Sequence, residues 1–403
     1  MKRIFFMAAV IVLGSCSQNK NYEMGTYGYD LEFLKKNDID AVELSCNEGQ
    51  SRLLVVPAFQ GRVMTSTAMG LAGKSYGWIN HKYIESAKVS PQFNPYGGEE
   101  RLWIGPEGGP YSWFFKEGDS QIYENWKVPK AIDTECYEII SQDDRSVTFY
   151  KDIEIANSSS ILFKIGIRRK VDILDQPDIS SLLGVELPDG LKIIAYKTEN
   201  HLFNRSCFRW TEETGMPSVW LLSTFNPTPS TTVFIPYNRE YEGRHINDTY
   251  FGKVPPDRLI LRNGIVYFKI DGEFRSKIGI PFGSAKDICG SYDSESGVLN
   301  IIKYNIPEGN VRYVNSQWGA QENPFDGDVI NAYNDGPTET GYVQGPFFEV
   351  ETSSPGAAIG PGESLTHTQT TIHIQGEREL LSEISTQIFG VDLNIVSRMF
   401  NHH

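Results

Sequence analysis

The 403-residue sequence predicts an all-β fold: one large antiparallel sandwich closed by a short C-terminal helix. Three observations carry this expectation. Runs of β-branched and aromatic residues recur along most of the chain, bounded by Gly, Pro and Asn turns. Residues 259–262 and 265–268 flank Asn263-Gly264, the pair best suited to a tight hairpin turn, where both central residues need positive φ. Helical periodicity is clear only near the end, where Leu380, Ile384 and Ile388 recur every four residues.

The elements follow in order. Residues 41–45 and 52–56 read as strands around the Asn47-Glu48-Gly49 turn. Residues 146–155 and 161–173 carry β-branched runs, and 364–375 alternate over their whole length. Asp271-Gly272 repeats the hairpin device soon after Asn263-Gly264. No short repeat, low-complexity tract or clear linker interrupts 37–376. Residues 38–403 are therefore expected to form a single domain with a large core.

Ahead of that domain, Met1-Lys2-Arg3, ten apolar residues and Leu13-Gly14-Ser15-Cys16 have the three parts of a secretory signal over residues 1–15. The apolar run is too short for a permanent membrane helix. A cysteine just after small residues resembles the lipobox of bacterial lipoproteins, which implies lipidation at Cys16. Residues 16–37 then read as a polar tether. The expected location is the cell envelope, lipid-anchored. Ser17-Gln18-Asn19-Lys20-Asn21 lacks the acidic run that resembles a surface-export signal, which favours the periplasmic side of the outer membrane.

Charge narrows the partners. Thirty-seven basic residues face 51 acidic ones, a net −14, two units more negative without Lys2 and Arg3. This argues against nucleic acid, against an anionic lipid face beyond the lipid anchor, and against a lyase for acidic polysaccharide. Cys46, Cys136, Cys207 and Cys289 are far apart with no CxxC pair, so neither zinc nor any other cofactor is expected, and scattered buried thiols are. An aromatic content of 12% suits sugar handling as well as core filling.

Three stretches carry the candidate chemistry. The first, residues 94–109, is bracketed by Gly and Pro and holds a cation (Arg101), a ring (Trp103) and a carboxylate (Glu107). The alternative for it is a structural Arg–Glu pair under a tight loop. The second, residues 313–337, mixes Trp318, Gln321, Asn334 and Asp335 with further rings and amides and few aliphatics. It reads as a loop with stacking platforms beside hydroxyl-binding groups. Asp326-Gly327-Asp328 within it falls short of the ligands calcium requires. In the third, Glu349 and Glu351 are two apart on an expected strand, hence on one face, where mutual repulsion raises one pKa if the site is buried. Among the histidines, His367 and His373 read as surface or packing residues, and His201 lies between two β segments.

At these residues the chain resembles the galactose mutarotase-like group, whose fold is a large antiparallel supersandwich. Residues 55–63, the Gly97-Gly98 to Glu107 stretch, and Glu349 with Pro355 and Pro361-Gly362-Glu363 carry the resemblance. Residues 316–337 are similar to a family of uncharacterised Bacteroidota lipoproteins within that group. The resemblance covers residues 38–376. It implies chemistry in which a Glu takes the anomeric hydroxyl proton and a His protonates the ring oxygen. Two departures stand out. The His before the Gly-Gly pair is Tyr96 here, and Asn200-His201-Leu202-Phe203-Asn204 is one residue short of the Asn-His-x-x-Phe-Asn context.

The expectation is a carbohydrate-binding envelope protein that, if catalytic, is an epimerase, a mutarotase-like isomerase or another carbohydrate-active enzyme. Glu349 is the base, and His201 or Tyr96 the proton donor. Arg101, Trp103, Glu107, Trp318, Gln321, Asn334, Asp335 and Glu351 line the sugar. The alternative is a non-catalytic glycan- or protein-binding lipoprotein, with its rings on an open face and both glutamates exposed.

Overall fold

In the computed structural model, which describes residues 21–338 and 340–400, the alternating segments pair into three antiparallel sheets. The chain begins with α1 (Tyr27–Lys36), then β1 (Val42–Cys46), β2 (Ser51–Val56) and β3 (Arg62–Thr67), a three-stranded meander. After α2 (His81–Glu85) come β4 (Arg101–Gly105), β5 (Glu138–Gln142), β6 (Ser146–Ala156) and β7 (Leu162–Leu174). Helix α3 (Gln176–Leu183) precedes β8 (Lys192–Asn204), β9 (Ser218–Phe225), β10 (Thr231–Pro236), β11 (Leu259–Arg262) and β12 (Ile265–Lys269). The last strands are β13 (Ser276–Pro281), β14 (Ile288–Asp293), β15 (Val298–Tyr304), β16 (Asp328–Asn334), β17 (Phe348–Ser353) and β18 (Ser364–Gln375). Helices α4 (Arg378–Phe389) and α5 (Leu393–Val396) follow.

Ten strands form the large sheet, in the order β11-β12-β10-β14-β15-β18-β8-β7-β6-β5, and five form a second, β13-β16-β17-β9-β4. The layers follow from the parity of side chains along each strand. On β8, Ile193 and Ala195 point outward and pack with Leu381, Ile384 and Phe389 of α4. Ile194, Tyr196 and Leu202 point inward. The five-stranded sheet lays Ile278, Ile330, Ala332 and Val350 onto Val233, Val266 and Ile302 of the large sheet. Helices, large sheet and small sheet thus stack as three layers.

A polar seam runs between the two sheets. Arg169 and Glu100, both without solvent exposure, pair at 2.8 Å. Arg169 also donates to Gly61 O at 2.9 Å and Asn200 Oδ1 at 2.7 Å, and Gln369 Nε2 donates to Glu100 Oε2 at 2.7 Å. His373 lies 2.9 Å from Glu99 Oε1 and 2.6 Å from Asn300 Oδ1. His367 pairs with Thr352 Oγ1 at 2.9 Å, and burial pushes its imidazole down to about 3, so it is neutral at ordinary pH. Neither histidine reaches the surface.

Several expectations are corrected. Residues 27–36, inside the stretch read as a tether, form α1, which buries Tyr27 and Leu34 against the three-stranded sheet. Asp271-Gly272 is not a hairpin turn, because β12 and β13 belong to different sheets. It is a crossover, with Asp271 gripped by Arg258 at 2.6 Å. Among the thiols of the described residues only Cys289 is buried; Cys136 and Cys207 are exposed. Cys16 and the signal-like residues 1–15 lie outside the described residues.

Candidate active site

The five-stranded sheet has two unlike faces. One is the apolar layer just described. The other collects the polar residues of alternate parity from five strands. Pairing sets Lys277 against Tyr333, Tyr333 against Glu349, and Glu349 against Thr224. The next row runs Gly279, Asn331, Glu351, Leu222, Arg101. A third row sets Ser353 against Trp220 and Trp220 against Trp103. Residues far apart in sequence therefore share one surface because all five strands keep register.

Two ion pairs order this surface. Arg101 donates from Nη2 to Glu349 Oε1 at 2.9 Å, and Thr224 Oγ1 donates to the same oxygen at 3.1 Å. Arg101 also lies over Trp103, 4.4 Å from its centroid. Lys277 Nζ and Trp220 Nε1 donate to Glu351 Oε2 at 2.8 and 2.9 Å. Glu349 is 6% exposed and Glu351 1%. An open glycan platform expects both carboxylates in solvent; both are instead buried, each paired with a cation. Burial pushes the Glu349 carboxyl above the usual range, Arg101 pulls it down and Glu351 raises it again.

Glu107 is the third carboxylate. Burial raises it to about 7; Lys277 opposes the rise, while Glu351 adds to it. Glu107 and Glu349 both feel the charges of Lys277 and Glu351, so they belong to one electrostatic unit. Its folded pKa exceeds its ordinary 4.5, so its stabilising contribution is complete below about 4.5 and lost as pH rises through about 7. The difference in unfolding free energy between the protein and Glu107→Gln, followed by urea titration across pH, is expected to change over that window and stay level outside it.

The Trp318 loop closes over Glu107 because Gly108 has no side chain. A Cβ there would meet Gln317 O at 2.2 Å and Trp318 Cα at 2.8 Å. Gly108→Ala is expected to push the loop away at a cost of about 1–3 kcal/mol, the range for overpacking. Tryptophan emission should shift red as Trp318 leaves its ring partners; an unchanged spectrum and melting curve would count against this close approach.

The remaining expected site residues divide. Trp318 is 38% exposed, its ring packed on Phe115 and Trp126. Gln321 clamps its own loop, donating to Asn315 O and Gln317 O. Asn334 has the opposite parity from Tyr333; it is buried and holds Asp271 and Phe274 O. Asp335 accepts from Tyr333 Oη at 3.0 Å and Gly345 N at 2.9 Å, so it orients the tyrosine that stands beside Glu349. His201 shares the outward parity of Ile193 on β8 and engages Glu199, Arg168 and Thr366 on the far face of the large sheet. It does not reach Glu349. Tyr96 stacks on Phe59 at 4.2 Å and packs in the cluster beneath the three-stranded sheet.

Lys277, Trp220, Tyr333, Thr224 and Trp126 are site residues the sequence reading missed. Tyr333 was legible in part, since it lies within residues 313–337, but 328–334 is a strand and not a loop. Among the described residues, no group of three or more His, Cys, Asp or Glu stands close enough to hold a metal ion.

The fold defines a class: an all-β protein of large antiparallel sheets, with two buried ion pairs on one face of the smaller one. The chain belongs to the family described as "Family of unknown function (DUF6786)", which matches residues 25–400. No curated protein matches it. Among solved structures, the Slr1438 protein from Synechocystis sp. PCC 6803 shares the fold, with a TM-score of 0.51 and 13% identity over 84% of this chain and 96% of that one. A galactose mutarotase related enzyme from Lactobacillus acidophilus aligns over 83% of this chain and 97% of its own, with 7% identity and a TM-score of 0.46. A galactose mutarotase-like protein from Lactobacillus casei ATCC 334 aligns over 83% and 99%, with 11% identity and a TM-score of 0.43.

Proposed function

We propose that the protein binds a carbohydrate in this cleft and rearranges it by proton transfer, in the manner of a sugar epimerase or mutarotase-like isomerase. The observation that carries the reading is the recessed Arg101–Glu349 pair, set between Trp103, Trp220 and Tyr333 on one polar sheet face. Hydroxyl-rich rings need apolar faces to stack on and paired donors and acceptors at their edges; Trp318, 38% exposed, offers the first, and the Arg101–Glu349 and Lys277–Glu351 pairs supply the second. Glu349 acts as the base. With His201 and Tyr96 turned elsewhere, Glu107 is the proton donor. A carboxyl titrating near 7 is half protonated at neutral pH, which suits an acid catalyst.

The test is a calorimetric panel of aldoses and uronic acids, with anomer exchange of each binder followed by NMR. Binding of at least one sugar with accelerated exchange is expected; silence across the panel sinks the reading. For an active sugar, kcat/KM should fall as pH rises through about 7, and that limb should be absent in Glu107→Gln.

The address is a further part of the proposal. The residues around Cys16 support a lipid anchor in the cell envelope, facing the periplasm. Among the described residues no helix is long and apolar enough to cross a membrane. Cys16→Ser is expected to move the protein from the membrane fraction to the soluble one.

A further inference from the structure

Large apolar side chains cluster in solvent beside the cleft. Tyr123 is 58% exposed and Trp318 38%, both stacked on Trp126, and Tyr342, 59% exposed, lies within electrostatic reach of Tyr123. Exposed rings on one patch oppose the hydrophobic effect and mark a contact surface. Their arrangement is ordered. Trp318 stacks on Trp126 at 6.2 Å and 29°, and Trp126 on Tyr123 at 6.0 Å and 20°, so the buried Trp126 holds two exposed rings near-parallel on either side of it. Tyr342 feels the charges of both Tyr123 and Asp335, which ties the opposite side of the patch to the tyrosine beside Glu349.

The patch is also held in place. Gln121 exchanges hydrogen bonds with Gly109 at 2.9 and 2.8 Å and accepts from Gly319 N at 2.7 Å. One amide therefore pins together the segment carrying Glu107, the loop carrying Trp318 and the loop carrying Tyr123. Gln92 donates to Tyr123 O and fixes that loop from the other side. Rings held rigid in water are preorganised for a flat, partly apolar partner.

We propose that these rings form a second binding region continuous with the cleft, and that the substrate is an oligosaccharide: the cleft takes a terminal unit and the next units stack across Tyr123 and Tyr342. This rests on the carbohydrate reading above and deepens it. Sugars suit the region because their faces stack on rings while their edges stay hydrated, whereas a purely apolar guest would gain nothing from the charged cleft it adjoins.

Ladders of one to four units, built from glucose, galactose, mannose and xylose, are titrated by calorimetry into the wild type, Tyr123→Ala and Tyr342→Ala. Both tyrosines are more than half exposed, so the variants should fold. In the matching ladder, affinity is expected to rise from one unit to three, and each variant should lose about tenfold on the trimer while leaving the monomer unchanged. Equal affinity for monomer and trimer, untouched by either substitution, overturns the second region and leaves the cleft reading standing. Failure of the wild type to bind any rung overturns both.

Discussion

Glu349→Gln is expected to lower turnover by about 10²–10⁴, the usual worth of a positioned base, while shifting sugar affinity only a few-fold. The amide keeps the shape of the carboxylate and can still accept from Arg101 and Thr224, so the cleft keeps its outline. It cannot take a proton. The variant also leaves Arg101 without its counter-ion, and a cation 8% exposed does not recover full hydration. Some loss of stability should therefore accompany the loss of rate. A split between kcat and KM separates the two effects, because a merely loosened site would raise KM as well. Unchanged anomer exchange in a folded Glu349→Gln protein removes Glu349 from the mechanism.

The largest effect on stability is expected at Glu100. Replacing it by Ala strands the Arg169 guanidinium where neither partner has any solvent exposure. Breaking one side of such a pair costs about 3–5 kcal/mol, a large share of the roughly 5–15 kcal/mol that holds a domain together. The damage should spread, because Arg169 and Gln369 tie β7, β8 and β18 to the segment that enters β4. Pairing the change with Arg169→Met should restore part of the loss, since the stranded charge is gone. Urea unfolding of the single and double variants measures this; a single-variant loss under about 1 kcal/mol, the scale of an exposed pair, would show that water reaches the seam.

What was legible in the sequence follows the range of the interactions. The Asn263-Gly264 hairpin, the strand at Ser364–Gln375 and helix α4 are local signals, and all form as read. So does the shared face of Glu349 and Glu351, which needs only the two-residue repeat of a strand. Arg101 meeting Glu349 was legible only as two separate motifs, because β4 and β17 meet through β9. Lys277 has no local mark at all; only the register of β13 on β16 brings it to Glu351. His201 misled because motif context does not reveal which side of a strand a residue takes. Glu99 and Glu100 look like surface charges in a Gly-rich stretch, and only sheet stacking buries them.

The two-sided character of the small sheet also bears on how such a protein can diversify. Substitutions at 277, 331, 333, 349 and 351 rewrite the chemistry, whereas 278, 330, 332, 348 and 350 are reserved for cohesion. On the proposed function, lineages can therefore trade one sugar for another through point changes on odd-numbered positions without disturbing the hydrophobic layer beneath. A single-codon deletion within β17 would instead exchange the two sets, turning Val350 toward the guest and driving carboxylates into oil. Evolution on this scaffold is thus free in letter and strict in spacing.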